Sequence, residues 1–253
     1  MVVKRAALRL LNSVGYRLER ADGLGFEHLP FIDADFQQVM QRVRGLTMVP
    51  WQALHMTYQA AKHVVRHAIP GDVVECGVWR GGCAILMAES MMLNGDTTRQ
   101  IYLYDTFAGM PEPSQDDVSR FSGRPAIEKF RAQRKAEHTE WCYASLQEVE
   151  RNTASSRYPR ERFTLVKGMV EETIPSQAPP QISILRLDTD WYASTKHTLE
   201  HLFPRLSPGG VLIIDDYGAW TGATKALDEY LATNAIRSMP YMDPGTGRAL
   251  LIK

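Results

Sequence analysis

Two stretches of this chain end an apolar run in closely spaced acids. ISILRLDTD, residues 182–190, carries Asp188 and Asp190; VLIIDDY, residues 211–217, carries Asp215 and Asp216. Runs this apolar read as strands buried on both faces, and ligands of open parallel sheets bind outside the carboxyl ends of the strands. Carboxylates gathered at one such edge repel one another when ionised. A hard divalent cation relieves the repulsion, and oxygen-only donors suit Mg²⁺ ahead of Ca²⁺ or Mn²⁺. Acids after strands also cap helices, and Asp190 could do so for the helical WYASTKHTLEHLFPRL that follows it. Two acidic pairs at two successive strand ends go beyond what capping requires.

A second constellation lies upstream. In GDVVECGVWRGG, residues 71–82, Val73 and Val74 form a short buried strand, and Gly77, Gly81 and Gly82 break the chain before the helical CAILMAESMML. Glycine lets backbone approach a ligand closely, and the unpaired N–H groups of a helix start would face the same ligand. The spacing E-x-G-x-x-x-G is neither the G-x-G-x-x-G of dinucleotide enzymes nor a P-loop. By itself it fits a structural turn as well as a cofactor loop. About 30 residues on, IYLYDTF is a second strand, ending in Asp105. An acid there catches ribose hydroxyls in nucleotide-binding α/β folds, or caps the next helix. Taken with the glycine turn, it points to an adenosine-containing cofactor.

The elements that must position these groups read as one α/β domain behind a helical cap. Lys plus Arg and Asp plus Glu are 29 each, a balance that argues against a dedicated nucleic-acid binder. Cys76, Cys83 and Cys142 lack zinc spacing and suit a reducing cytoplasm. No run is long enough to span a membrane, and no cleaved leader is expected. Residues 1–20 read as an amphipathic helix with a basic rim, suited to packing on its own domain, on a second subunit of a homo-oligomer, or on an anionic membrane face. Helices are expected over 33–44 and after Pro50. His63 and His67 there have i, i+4 spacing but no acidic partner, and read as surface residues. Residues 108–125 are rich in Pro, Gly and Ser and read as a lid. Helices over 126–137 and 143–152, a strand over 163–166, a turn at Gly168, SPGG as a turn before 211, and a closing hairpin from a strand near 237–239 complete the order.

VVECGVWRGG, YLYDTFAGMPEP, LRLDTDWYAST and HLFPRLSPGGVLIIDDY together resemble the macrocin O-methyltransferase family over residues 70–217. The resemblance implies S-adenosylmethionine- and Mg²⁺-dependent methylation of a sugar hydroxyl on a glycoside. It implies a Rossmann-like class I methyltransferase fold: a seven-stranded, mostly parallel sheet with helices on both faces. The division expected is an N-terminal cap over 1–69 and a methyltransferase domain over 70–253, with a lid-like insertion near 108–140. Carried over, Glu75, Gly77 and Gly81 shape the methionine and ribose pocket and Asp105 holds the ribose. Thr106 and Phe107 flank the adenosine, with Gly168 and Met169 near the adenine. Asp188, Asp215 and Asp216 match the metal ligands. Asp190 is the expected general base, taking the hydroxyl proton while Mg²⁺ lowers that hydroxyl's pKa. Catechol-type enzymes have a lysine three residues after the first metal acid, where this chain has Trp191. His28, His55 and Tyr192 are candidate acceptor contacts.

Three other readings compete: a methyltransferase for catechol-like diols, a noncatalytic S-adenosylmethionine-binding protein at a membrane, and a metal-dependent hydrolase. The intact acids argue against the second, and the third leaves the glycine turn and Asp105 without work. A membrane contact through residues 1–20 would favour a lipid-linked glycan and a location at the inner face of the membrane. Deleting residues 1–20 tests it: reduced co-sedimentation with anionic vesicles supports the contact, and unchanged co-sedimentation ends it.

Overall fold

The structure is a computed structural model that describes Phe26, Leu29, Pro30 and residues 32–253. The amphipathic stretch 1–20 and His28 lie outside the described residues. Two helices come first, α1 (Ala34–Val43) and α2 (Trp51–Arg66). Asp33 starts α1 by accepting from the Phe36 amide at 3.1 Å, which satisfies one of the donors a helix leaves unpaired. The chain then alternates: β1 (Asp72–Cys76), α3 (Gly82–Leu93), β2 (Ile101–Asp105), α4 (Ala126–Gln133), α5 (Leu146–Ala154), β3 (Phe163–Lys167), α6 (Val170–Thr173) and β4 (Ile182–Leu187). It closes with α7 (Tyr192–Leu202), β5 (Leu206–Ile214), α8 (Thr221–Thr233), β6 (Tyr241–Met242) and β7 (Ala249–Ile252).

The strands form one seven-stranded sheet in the order β3-β2-β1-β4-β5-β7-β6. β3 through β5 are parallel, and β7 is antiparallel to both β5 and β6. Alternation along the strands sorts the core into two layers. Val73, Ile184 and Ile213 face α2 and α3, whereas Val74, Leu185 and Leu212 face α7 and α8. Both faces are covered, which is why the strands read as unbroken apolar runs. α3 is buried over ten successive residues, since α1 and α2 cover the side turned away from the sheet. The buried carboxylate of Glu89 on α3 pairs with Arg42 at 2.7 Å and Arg157 at 3.0 Å, tying α1 to the segment after α5.

Several expectations shift. SPGG is no turn before the last parallel strand: β5 already begins at Leu206, and its pairing with β4 jumps from Ile182↔Leu206 to Ile184↔Val211. Residues 207–210 therefore bulge within the strand. β7 holds the bulge from one side, through Gly209 N to Lys253 O at 2.7 Å and Lys253 N to Gly210 O at 3.0 Å. His63 holds it from the other, donating to Gly209 O at 2.9 Å. That bond gives His63 Nε2 a structural partner. β6 lies at Tyr241–Met242, beyond the expected 237–239. β4 leaves the sheet at Leu187, so Asp188 to Asp190 project from its end.

At that edge the backbone ladders run one residue past the strands. Gly77 N donates to Tyr104 O at 2.8 Å, Asp188 N to Cys76 O at 2.8 Å, Asp215 N to Leu187 O at 2.9 Å, and Gly168 N to Asp105 O at 3.0 Å. Gly77 has φ of +83°, and a Cβ there would come within 1.8 Å of Asp188 O. Gly77→Ala is expected to lower stability by at least about 2 kcal/mol, from strain plus a backbone collision. Thermal or urea unfolding measures it.

Candidate active site

The strand ends open into a cavity of about 110 Å³. Gly77, Trp79, Asp105, Thr106, Gly168 and Met169 line one part, and Asp188, Thr189, Asp190 and Ser194 another. Gly109, Met110, Pro111 and Cys142, from the segment between β2 and α5, wall it over. A neighbouring cleft of about 460 Å³ shares Thr106, Met110 and Met169 with it.

Asp105 sits where the turn after β1 meets the end of β2. Its Oδ2 accepts from the amides of Val78 at 2.7 Å and Trp79 at 3.2 Å, and Oδ1 from Phe107 at 2.7 Å. Burial lifts its carboxyl above the ordinary value, and these amide donors oppose the rise. Phe107 contributes its amide at φ +50° while its ring packs into the core away from the cavity. Gly81 is placed differently from Gly77. It is the N-cap of α3 at φ +86°, and a Cβ there would meet Val149 and Thr153 of α5.

Glu75 is wholly buried one layer below. Its Oε1 accepts from Arg186 at 2.9 Å, Oε2 meets no donor among the described residues, and burial pushes its carboxyl up to about 8. It lines a small inner cavity of about 40 Å³ together with Arg186, Cys83 and Asp188.

Arg186 organises the acids. Its guanidinium is 1% exposed and donates to Glu75, to Asp188 Oδ2 at 2.8 Å and to Asp215 Oδ1. Arg248, delivered by the hairpin before β7, donates to Asp215 Oδ2 at 2.9 Å. One carboxylate oxygen from each of Asp188, Asp215 and Asp216 lies within 4.8 Å of the others. The Oδ2 of Asp216 is buried and meets no donor among the described residues. Burial drives Asp188 and Asp216 well above the ordinary carboxylate range, and neighbouring acids add to it. The donor set thus fits a hard divalent cation: oxygen ligands only, excess negative charge, and one buried oxygen without a partner.

Asp190 stands beside this triad at φ +61°. Burial pushes its carboxyl up to about 7, against a hydrogen bond from Asp216 that lowers it. His55 bonds Gln59 and packs edge-on to Phe36 on the helical cap, and the Tyr192 hydroxyl donates to Glu229 at 2.7 Å. Neither lines the cavity.

A family model for macrocin O-methyltransferase (TylF) matches residues 37–243. The chain belongs to the macrocin O-methyltransferase family. It is 34% identical over 79% of its length, and 73% of the relative's, to the 8-demethyl-8-(2,3-dimethoxy-alpha-L-rhamnosyl)-tetracenomycin-C 4'-O-methyltransferase of Streptomyces olivaceus. It is 32% identical over 74% of its length, and 68% of the relative's, to the demethyldecarbamoylnovobiocin O-methyltransferase of Streptomyces niveus. Among solved structures, the O-methyltransferase NovP superposes with a TM-score of 0.71 at 29% identity, covering 82% of this chain and 81% of that one. This macrocin-type O-methyltransferase therefore transfers methyl groups from S-adenosylmethionine to hydroxyls on a class I methyltransferase fold.

Sequence reading missed Arg186 and Arg248. Arg186 did leave a signal, because a cation inside the apolar run of residues 182–187 must be paired once buried. Arg248 left none, since its approach depends on the register of β7 with β5. Asp105→Ala, which strips the turn after β1 of its carboxylate, is expected to weaken S-adenosylmethionine binding by about 10-fold or more, from lost charge-assisted hydrogen bonds. Titration calorimetry with a parallel melting control measures it.

Proposed function

We propose that this methyltransferase methylates a sugar hydroxyl of a glycoside and uses a divalent cation, Mg²⁺ by its donor set, held by Asp188, Asp215 and Asp216. What carries the reading is one juxtaposition: the carboxylate triad adjoins a cavity whose walls hold Asp105 and the glycine turn at one part and Asp190 at another. Membership of the family and the rhamnosyl group in the name of the tetracenomycin relative support a sugar as acceptor.

Asp105 would hold a ribose hydroxyl through Oδ1, which accepts closely only from the Phe107 amide, whereas Oδ2 is filled by the amides of Val78 and Trp79. Gly77 lets the turn approach the methionyl end, with Thr106, Gly168 and Met169 around the nucleoside. A cation bound at the triad supplies Lewis acidity that lowers the pKa of the acceptor hydroxyl. Asp190 takes the hydroxyl proton on its carboxylate as the oxygen attacks the methyl carbon in line. The carbon–sulfur bond breaks and sulfur keeps the electron pair, so the products are a methyl ether and a neutral thioether. Such a displacement depends mainly on positioning, and the lid-side wall of Met110 and Pro111 helps keep water out. A catechol-like diol would use the same triad, but Trp191 stands where the catechol enzymes carry their lysine.

Two results are expected with S-adenosylmethionine and a panel of glycosides that includes an aryl α-L-rhamnoside. Methyl transfer to sugar is abolished by EDTA and restored by Mg²⁺, read by mass spectrometry. Asp190→Asn lowers kcat by about 10²- to 10⁴-fold with S-adenosylmethionine binding retained. Methylation of catechol and of no glycoside would overturn the acceptor assignment, and EDTA-resistant turnover the metal.

A further inference from the structure

The helices that follow the two acid-bearing strands begin without side-chain caps of their own. α7 has Trp191 and α8 has Trp220 at the N-cap, and neither makes a capping hydrogen bond. The missing acceptor at α7 comes from the lid. Asp117, wholly buried, accepts from the Tyr192 amide at 2.8 Å through Oδ1. Its Oδ2 accepts from the amide and hydroxyl of Ser114 at 2.7 and 2.8 Å.

Room for that carboxylate is made by Gly222, in the first turn of α8. A Cβ there would lie 2.0 Å from Asp117 Oδ1 and 2.7 Å from Tyr192 N. The same lid meets the base segment at a second point, where the Trp191 indole donates to Pro111 O at 3.0 Å. It meets α8 at a third: Val118 N donates to Thr221 Oγ1 at 2.9 Å, and Thr221 N to Val118 O at 3.0 Å. Immediately before the two anchors at Trp191 and Tyr192 lies Asp190, a non-glycine residue at φ +61°. Backbone of that kind persists only where its surroundings over-determine it.

We propose that Asp117 is a positioning residue for methyl transfer: from the lid it caps α7 and so fixes the segment that carries Asp190. This rests on Asp190 being the base. Asp117 does not line the cavity, so it acts on turnover through the backbone two residues beyond Asp190. The bulk of S-adenosylmethionine affinity lies elsewhere, at the turn after β1 and at Asp105. Because the carboxylate belongs to the lid segment, the cap forms only with the lid in place, and the base is then set only when the acceptor chamber is walled.

The test uses the full chain, an aryl α-L-rhamnoside as acceptor, and hydrogen–deuterium exchange, which needs no acceptor. In Asp117→Ala, exchange over residues 188–195 should rise while S-adenosylmethionine affinity holds. kcat should fall about 10- to 100-fold, the scale of a misplaced reacting group, with acceptor KM within about threefold. Asp117→Asn keeps an acceptor for the Tyr192 amide but turns its NH2 toward the Ser114 amide, so it should recover part of kcat relative to Asp117→Ala. Gly222→Ala, a favourable residue for a helix, should displace the carboxylate and reproduce Asp117→Ala if that variant folds poorly. Unchanged exchange over 188–195 in both variants overturns the proposal, whether or not the rhamnoside is turned over. So does a rise in KM with kcat intact, which would make Asp117 an element of acceptor capture alone. Asp190→Asn separates the premise: full activity there removes the base assignment, whereas loss there with wild-type kcat in Asp117→Ala removes only the positioning role.

Discussion

The buried guanidinium of Arg186 is the interaction on which this site depends. A cation taken out of water inside a sheet is costly unless ion pairs and hydrogen bonds offset the loss of hydration. Here the offset comes from Glu75 on β1, Asp188 at the end of β4 and Asp215 at the end of β5. The guanidinium charge in turn offsets the mutual repulsion of the acids that the strand ends bring together. Arg248 extends the arrangement to the hairpin before β7, so the antiparallel end of the sheet is coupled electrostatically to its parallel centre. Removing one partner of such a group leaves the others buried and unpaired, which costs more than the pair contributes when whole.

A second constraint is steric. Gly77 allows the turn after β1 to lie against the backbone of Asp188, and so brings the glycine turn and the acids within one small cavity. Any side chain at that point would separate them. The adjacent turn amides are spent on Asp105, two of them on Oδ2, which holds the turn's shape and leaves Oδ1 less heavily bonded. Glycine turn and acidic cluster are thus a single packing unit, which suits the proposed reaction, since it needs donor and acceptor aligned more than it needs covalent help.

The segment between β2 and α5, which includes the proposed lid, differs in kind from the sheet edge. Its wall over the cavity is built from Gly109, Met110, Pro111 and Cys142, and a cluster of Trp141, Trp191 and Trp220 packs beneath it, with ring centroids 5.1 to 5.8 Å apart. Two of these rings belong to the segments that follow the acid-bearing strands. Lid and strand ends therefore share one apolar contact, and a change in one is felt in the other. In the proposed reaction this is the part of the molecule where differences among acceptors would be read.

Composition, periodicity and motif order determined that this chain is an alternating α/β protein with acids at two adjacent strand ends, because a strand buried on both faces must be continuously apolar and its punctuation must be polar. They also marked Gly77 and Asp105, whose residue types are demanded by local geometry. Gly81 was marked by the same spacing, yet it faces α5, because one glycine turn points successive residues in different directions. The SPGG bulge, the partnership of Arg186 with three acids and the reach of Arg248 were decided by tertiary structure. So was the capping of α7 by Asp117 from the lid. Each depends on segments far apart in the chain meeting at a register that packing sets, and no local pattern encodes that distance.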